Sequence, residues 1–137
     1  MPYHSLHYHL IWATYERHPW LVDPVERQVY GTILEKAKEL GCVIHAIGGI
    51  EDHLHLAVSI PPKLAVAEAI RQFKGASAYY VNHRPHTVDE FRWQRGYGAL
   101  TFGDRSMERV VAYVRNQKDH HQRNDVVALF ERWDADD

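Results

Sequence analysis

Cysteine is almost absent from this chain. Cys42 is the only one in 137 residues, which excludes an intrachain disulfide and any cysteine-rich zinc site. No apolar run approaches the roughly 18–20 residues of a membrane-spanning helix, and the N-terminus lacks a basic-then-apolar export pattern. The expectation is a soluble, cytoplasmic protein with no membrane partner. Net charge is small as well, formally −2, so the surface is not uniformly basic. Its distribution is uneven: residues 71–95 carry Arg71, Lys74, Arg84, Arg92 and Arg95 against Asp89 and Glu90, whereas residues 125–137 set Arg132 against Asp125, Glu131, Asp134, Asp136 and Asp137. Local potential, more than the total, decides whether a phosphate chain is attracted. Repeats and low-complexity stretches are missing too, and the length suits one domain over 1–137, with an acidic tail at 131–137 expected to fray.

Histidine, by contrast, is plentiful, with eleven in the chain. Two of them fall in Asp52-His53-Leu54-His55-Leu56-Ala57-Val58-Ser59-Ile60. Alternate side chains of an extended strand point to opposite faces, so Leu54, Leu56, Val58 and Ile60 line one face and His53, His55 and Ser59 the other. Paired imidazoles held this way suit part of a metal site or of an acid/base site. Taken alone, a His-x-His is also an ordinary polar strand face.

The surrounding elements follow from pattern and punctuation. Leu6 to Thr14 alternates loosely and reads as a strand. Asp23-Pro24-Val25-Glu26 predicts a helix start, with Asp23 as cap, Pro24 at the first helical position and Glu26 closing a capping box; the helix runs to Leu40 and stops at Gly41. Cys42 to Ile47 reads as a strand, with Gly48-Gly49 opening a tight connection to the histidine strand. From Lys63 to about Val81 a second helix has Leu64, Ala67, Ile70 and Phe73 on one side and Arg71, Lys74 and Ser77 exposed. Gly98 to Gly103 is a fourth strand, and Ser106 caps a last helix through about Gln122. This order predicts an α+β, ferredoxin-like split βαβ sandwich: an antiparallel sheet with helices on one face, plus a C-terminal helix.

On that last helix Met107, Val110, Val111 and Val114 form the stripe that should face the sheet. Tyr113, Gln117 and His120 fall together on its flank, at the rim between core and solvent. A tyrosine there is placed to attack phosphorus, and Gln117 to lend its carbonyl oxygen to an ion held by His53 and His55. Three neutral ligands leave the ion's charge uncompensated, which suits an anionic phosphodiester. A phenol of pKa about 10 is a weak nucleophile at neutral pH and needs such activation.

These residues resemble a family. His53-Leu54-His55, Trp93-Gln94-Arg95-Gly96-Tyr97-Gly98 and Tyr113-Val114-Arg115-Asn116-Gln117-Lys118-Asp119-His120-His121 are similar to the single-tyrosine HUH transposases of small bacterial insertion sequences, the insertion sequence 200-like family. Tyr8-His9-Leu10-Ile11-Trp12-Ala13-Thr14 and Lys74-Gly75-Ala76-Ser77 extend the similarity over nearly the whole chain. The resemblance implies a DNA transposase in which His53, His55 and Gln117 bind a divalent metal, Mg²⁺ or Mn²⁺. Tyr113 is then the nucleophile that cleaves single-stranded DNA, keeping the 5′ phosphate and releasing a 3′ hydroxyl. It also implies recognition of DNA hairpins and a homodimer with shared active sites, the tyrosine helix of one subunit completing the site of the other.

Other readings of the same residues stand beside this one. Arg71, Lys74, Ser77, Arg92 and Arg95, with Tyr79, Tyr80, Phe91, Trp93 and Tyr97 nearby, suit phosphate and base contacts, or form a solvated face over core aromatics. His7 and His9 are an exposed strand face or nucleic-acid contacts. His120 and His121 suit the helix C-terminus. Glu51 and Asp52 are either partners of the histidines or simply polar turn residues. At the level of function the rivals are a catalytically unused hairpin-binding module and a histidine-rich metal-binding protein.

Overall fold

The computed structural model describes residues 3–84 and 90–119. The predicted acidic tail at 131–137, the residues His120 and His121, and the last helix beyond residue 119 lie outside them. In chain order the elements are β1 (His7–Ala13), α1 (Val25–Leu40), β2 (Val43–Ile50), β3 (His53–Ser59), α2 (Val66–Asn82), β4 (Gly98–Phe102) and α3 (Met107–Arg115), with short 3₁₀ turns at Tyr15–Arg17 and Asp104–Ser106. The sheet order is β2-β3-β1-β4, with every neighbouring pair antiparallel. This is the predicted split βαβ arrangement.

The two faces of the sheet differ in how strongly they are held. Leu10 and Trp12 of β1 and Leu54, Leu56 and Val58 of β3 point to one face, where they pack with Val29 and Ile33 of α1 and Ile70 and Phe73 of α2. Among the described residues, seventeen buried hydrophobic ones make up that core. At roughly 1.5–3 kcal/mol for each fully buried large side chain, it dominates stability. On the other face α3 lies across β2 and β3, where the buried cluster among the described residues has four members, Ala46, Ala57, Val110 and Val114. The histidines face this thinner layer.

Four local expectations are corrected. Asp23 and Glu26 form no capping box: Pro24 occupies the cap position of α1 with no side-chain cap bond, and the Glu26 amide donates to the Val22 carbonyl at 2.9 Å instead. The Glu26 carboxylate accepts from Tyr30 Oη (3.0 Å) and Lys118 Nζ (2.6 Å). Gly41, in the left-handed region at φ 76°, ends the helix as predicted. The second strand does not turn at Gly48-Gly49 but runs on to Ile50, and the turn falls at Glu51-Asp52. Gly48 pairs with His55 beneath α3, and a Cβ there would lie 2.1 Å from the Val114 carbonyl oxygen. Glycine is needed for a helix overhead rather than for a turn.

The remaining two concern helices. In α2 the buried stripe is Ala69, Ile70, Phe73, Ser77 and Val81, so Ala67 is exposed and Ser77 is not. The last helix breaks at Asn116, a turn position, and resumes over residues 117–119; Ser106 makes no side-chain cap bond.

Candidate active site

His53 and His55 are carried by a central strand whose register places Ala13 opposite His53 and Ile11 opposite His55. Both are buried, at 1% and 0% exposure, with ring centroids 5.2 Å apart. Burial of two imidazoles demands hydrogen bonds, and each ring has one at Nδ1. Asp52 Oδ1 lies 2.9 Å from His53 Nδ1, and His9 Nε2 lies 2.8 Å from His55 Nδ1. Asp52 is itself gripped from the far side by Arg17 Nε at 3.0 Å on Oδ2. Burial would raise the Asp52 carboxyl, but hydrogen bonds from His53 and Arg17, helped by their charges, outweigh it and hold the carboxyl down to about 2. Arg17 reaches this position from a turn in which Glu16 and Arg17 have φ of 50° and 56°. Such left-handed backbone costs on the order of 1–3 kcal/mol per non-glycine residue and concentrates at functional sites.

α3 brings Tyr113 onto the same pair. The Tyr113 ring centroid is 5.8 Å from that of His55 and 6.2 Å from that of His9, all within one chain. Gln117 follows one turn later, and its Nε2 donates to the Tyr113 carbonyl oxygen at 3.0 Å, in the last turn of α3. This assigns the amide group to the helix and leaves Gln117 Oε1 buried with no hydrogen-bond partner among the described residues. The next residue, Lys118, reaches the Gly49 carbonyl oxygen at 3.3 Å, which anchors this segment beside the end of β2 that pairs with His53. Tyr113 and Gln117 are 5% and 1% exposed. They were expected at a solvent rim; because α3 lies flat on the sheet, they sit beneath it.

The basic strip is only partly as predicted. Arg71, Arg92 and Arg95 are exposed, and with Lys74 and Phe91 they line a cleft of about 740 Å³. Arg71 is engaged with Glu68 at 2.6 Å, Arg92 lies 3.9 Å over the Tyr15 ring, and Lys74 Nζ donates to the carbonyl oxygens of Gln94 (3.0 Å) and Gly96 (2.8 Å). Ser77 is a correction. It is fully buried, donating to the Phe73 carbonyl (2.7 Å) and accepting from Trp93 Nε1 (2.9 Å), and has no surface to offer DNA. Phe91 belongs to the core, whereas Tyr79 and Tyr80 are exposed. The cleft lies at the His53 end of the sheet: Gln94 donates to the carbonyl of Ala13, which faces His53, and Tyr15 to that of Arg92.

Two further histidines resolve differently from each other. His9 is 2% exposed and faces the site. His7 sits at the opposite end of the sheet, bonded to Ser59 Oγ and Asp104 Oδ1 at 2.6 Å each. The role of His9 is the residue contact that sequence reading missed. Its parity in β1 with Ile11 and Ala13 was available, but the register against β3 was not.

Comparison with known proteins bears on the family and the fold. A family model described as "Transposase IS200 like" matches residues 2–117. The ISDra2 transposase TnpA of Deinococcus radiodurans is 27% identical over 121 residues, covering 85% of this chain and 86% of that protein. The transposase for insertion sequence element IS200 of Salmonella typhimurium is 26% identical over 130 residues, covering 89% and 83%. Among solved structures, a protein described as a transposase from Deinococcus radiodurans superposes with a TM-score of 0.64 at 28% identity, over 85% of this chain and 95% of that one. A REP-associated tyrosine transposase bound to a REP hairpin shares the fold, with a TM-score of 0.66 at 12% identity over 92% and 76%. With nearly the whole described chain inside the family match and the two-histidine strand facing a tyrosine helix, this protein belongs to the IS200-like transposases.

Proposed function

We propose that this transposase cuts and rejoins single-stranded DNA at hairpin ends through a 5′-phosphotyrosine intermediate on Tyr113, with a divalent metal as cofactor. The observation that carries the reading is the packing of Tyr113 against His55, with His53 beside it, in a buried pocket of one chain. In the step, the Tyr113 oxygen bonds to phosphorus as the bond from phosphorus to the 3′ oxygen breaks. The phenol gives up its proton, and the departing oxygen takes one to become a 3′ hydroxyl. One phosphodiester replaces another, so rejoining to a second 3′ hydroxyl needs no nucleotide triphosphate.

The donor set fits a metal. Among the described residues no group of three His, Cys, Asp or Glu side chains is arranged to hold an ion, so a site here needs a third ligand of another kind. Gln117 Oε1, buried and without a hydrogen-bond partner among the described residues, is that kind of donor. His53, His55 and Gln117 would hold Mg²⁺ or Mn²⁺, which supplies positive charge to the phosphate oxygens. Asp52 and His9 fix the two imidazoles, so the charge is met by a pre-arranged site. Arg92, Arg95, Lys74 and Arg71, around the cleft at the His53 end, supply phosphate contacts. Hairpin DNA as the partner is supported by the structural neighbour, which is bound to a REP hairpin.

Because Tyr113, His53, His55 and Gln117 are all closed from solvent, a DNA strand reaches them only when α3 lifts from β2 and β3. The small cluster beneath α3 makes this the layer that opens. The same movement would let α3 complete the site of a second copy in a homodimer; in the arrangement described, it completes its own. The direct test is incubation of the protein with a hairpin-bearing single-stranded oligonucleotide and Mg²⁺ or Mn²⁺. A denaturant-resistant protein–DNA adduct is the result expected from wild type and not from Tyr113→Phe. An adduct of equal yield in the variant would overturn the assignment.

A further inference from the structure

We infer that His9 is a positioning residue for His55: it accepts the Nδ1 proton of His55 and thereby turns Nε2 of His55 into the metal-facing nitrogen. This deepens, and rests on, the metal reading above. His9 and His55 lie diagonally across the β1–β3 pair, since His9 faces Ala57 and His55 faces Ile11. Diagonal neighbours are within reach of long side chains on one face, and here the gap between His9 Nε2 and His55 Nδ1 is 2.8 Å.

At that distance one nitrogen carries the proton and the other the lone pair. A neutral imidazole that presents a lone pair at Nε2 has its proton on Nδ1, so His55 donates and His9 Nε2 accepts. His53 is held with the same polarity, its Nδ1 against Asp52 Oδ1 at 2.9 Å. Both histidines are thus fixed through Nδ1, one by a carboxylate and one by a second imidazole. At 2% exposure, His9 is an expensive side chain to bury, and its bond to His55 is what its position supplies.

The inference has a readout that does not depend on cleavage. In metal-free wild type, long-range ¹⁵N spectra of histidine-labelled protein should show His55 protonated on Nδ1. Calorimetric titration with Mn²⁺ alone should give a dissociation constant ten- to hundredfold weaker in His9→Phe, with most of the loss recovered in His9→Gln, whose side-chain oxygen can accept the same proton. Circular dichroism and hairpin binding check that each variant is folded. A wild-type His55 protonated on Nε2, or a folded His9→Phe that binds Mn²⁺ as wild type does, would overturn the role. Should His9→Phe fail to fold, the wild-type spectrum and the His9→Gln titration decide alone. Wild-type protein that takes up no Mn²⁺ is a separate failure, one of the metal reading itself, and the positioning role falls with it.

Discussion

His53 and His55 hold the site at its rigid end, on a central strand paired on both sides, whereas Gln117 comes from a short helical stretch beyond a break at Asn116. That difference sets the expected consequences of substitution. His53→Ala or His55→Ala should lower cleavage by on the order of 10²–10³-fold while hairpin affinity, measured by gel shift, stays near wild type, because the proposed function draws affinity from phosphate contacts spread over the basic strip. Gln117→Ala should cost about tenfold, since water can take the place of a neutral carboxamide. A histidine variant that cleaves normally would remove the metal from the mechanism. At this scale the sequence was informative where alternation decides direction: it put His53 and His55 on one face. It misled at Ser77, because a serine hydroxyl that binds its own helix carbonyl and a tryptophan N–H is indistinguishable in sequence from one facing water. His9 stayed ambiguous for want of the register.

Among the elements, α3 is the one that carries the proposed nucleophile, and Gly48 is what allows it to lie close. A Cβ at Gly48 would meet the Val114 backbone oxygen at 2.1 Å, a contact that no side-chain rotation relieves. Gly48→Ala should therefore keep α3 from closing back onto β2 over a bound strand, lowering adduct formation while leaving the α1/α2 core folded and hairpin binding intact. Hydrogen exchange would show the shift as faster exchange confined to α3. Protection of α3 equal to wild type, with full activity, would contradict the close-approach role. The glycine pair was read from sequence as a turn because Gly-Gly is turn chemistry; the helix packed over Gly48 and the β3 backbone against Gly49 distinguish the two uses. The capping box at Asp23 failed for a related reason, since the Val22 carbonyl, already nearby in the chain, meets the Glu26 amide. Strand and helix identities were legible because period and punctuation agree. The cover that α3 lays over the second face was not, and it is what buries the site.

At the scale of the molecule, the seventeen core residues on one face and four on the other among the described residues make a stable scaffold with a lightly held helix that carries the proposed nucleophile. Whether that helix serves its own chain or a partner during cleavage can be resolved by mixing. Tyr113→Phe and His53→Ala/His55→Ala proteins, each inactive alone, should regain cleavage after subunit exchange if the helices cross between subunits, since one of the two sites is then fully wild type. If each helix stays on its own chain, as packed here, every site in the mixture remains broken. Activity regained would support shared sites; verified exchange without activity would rule them out.

The chemistry itself is tested most directly by locating the covalent bond. Wild-type protein trapped on a hairpin oligonucleotide labelled separately at each end, then digested and analysed by mass spectrometry, should yield one modified peptide, carrying DNA through a 5′ phosphate on Tyr113. The released fragment should end in a 3′ hydroxyl. A bond at any other residue, or a 3′ phosphate linkage, would contradict the assignment of Tyr113 as the nucleophile.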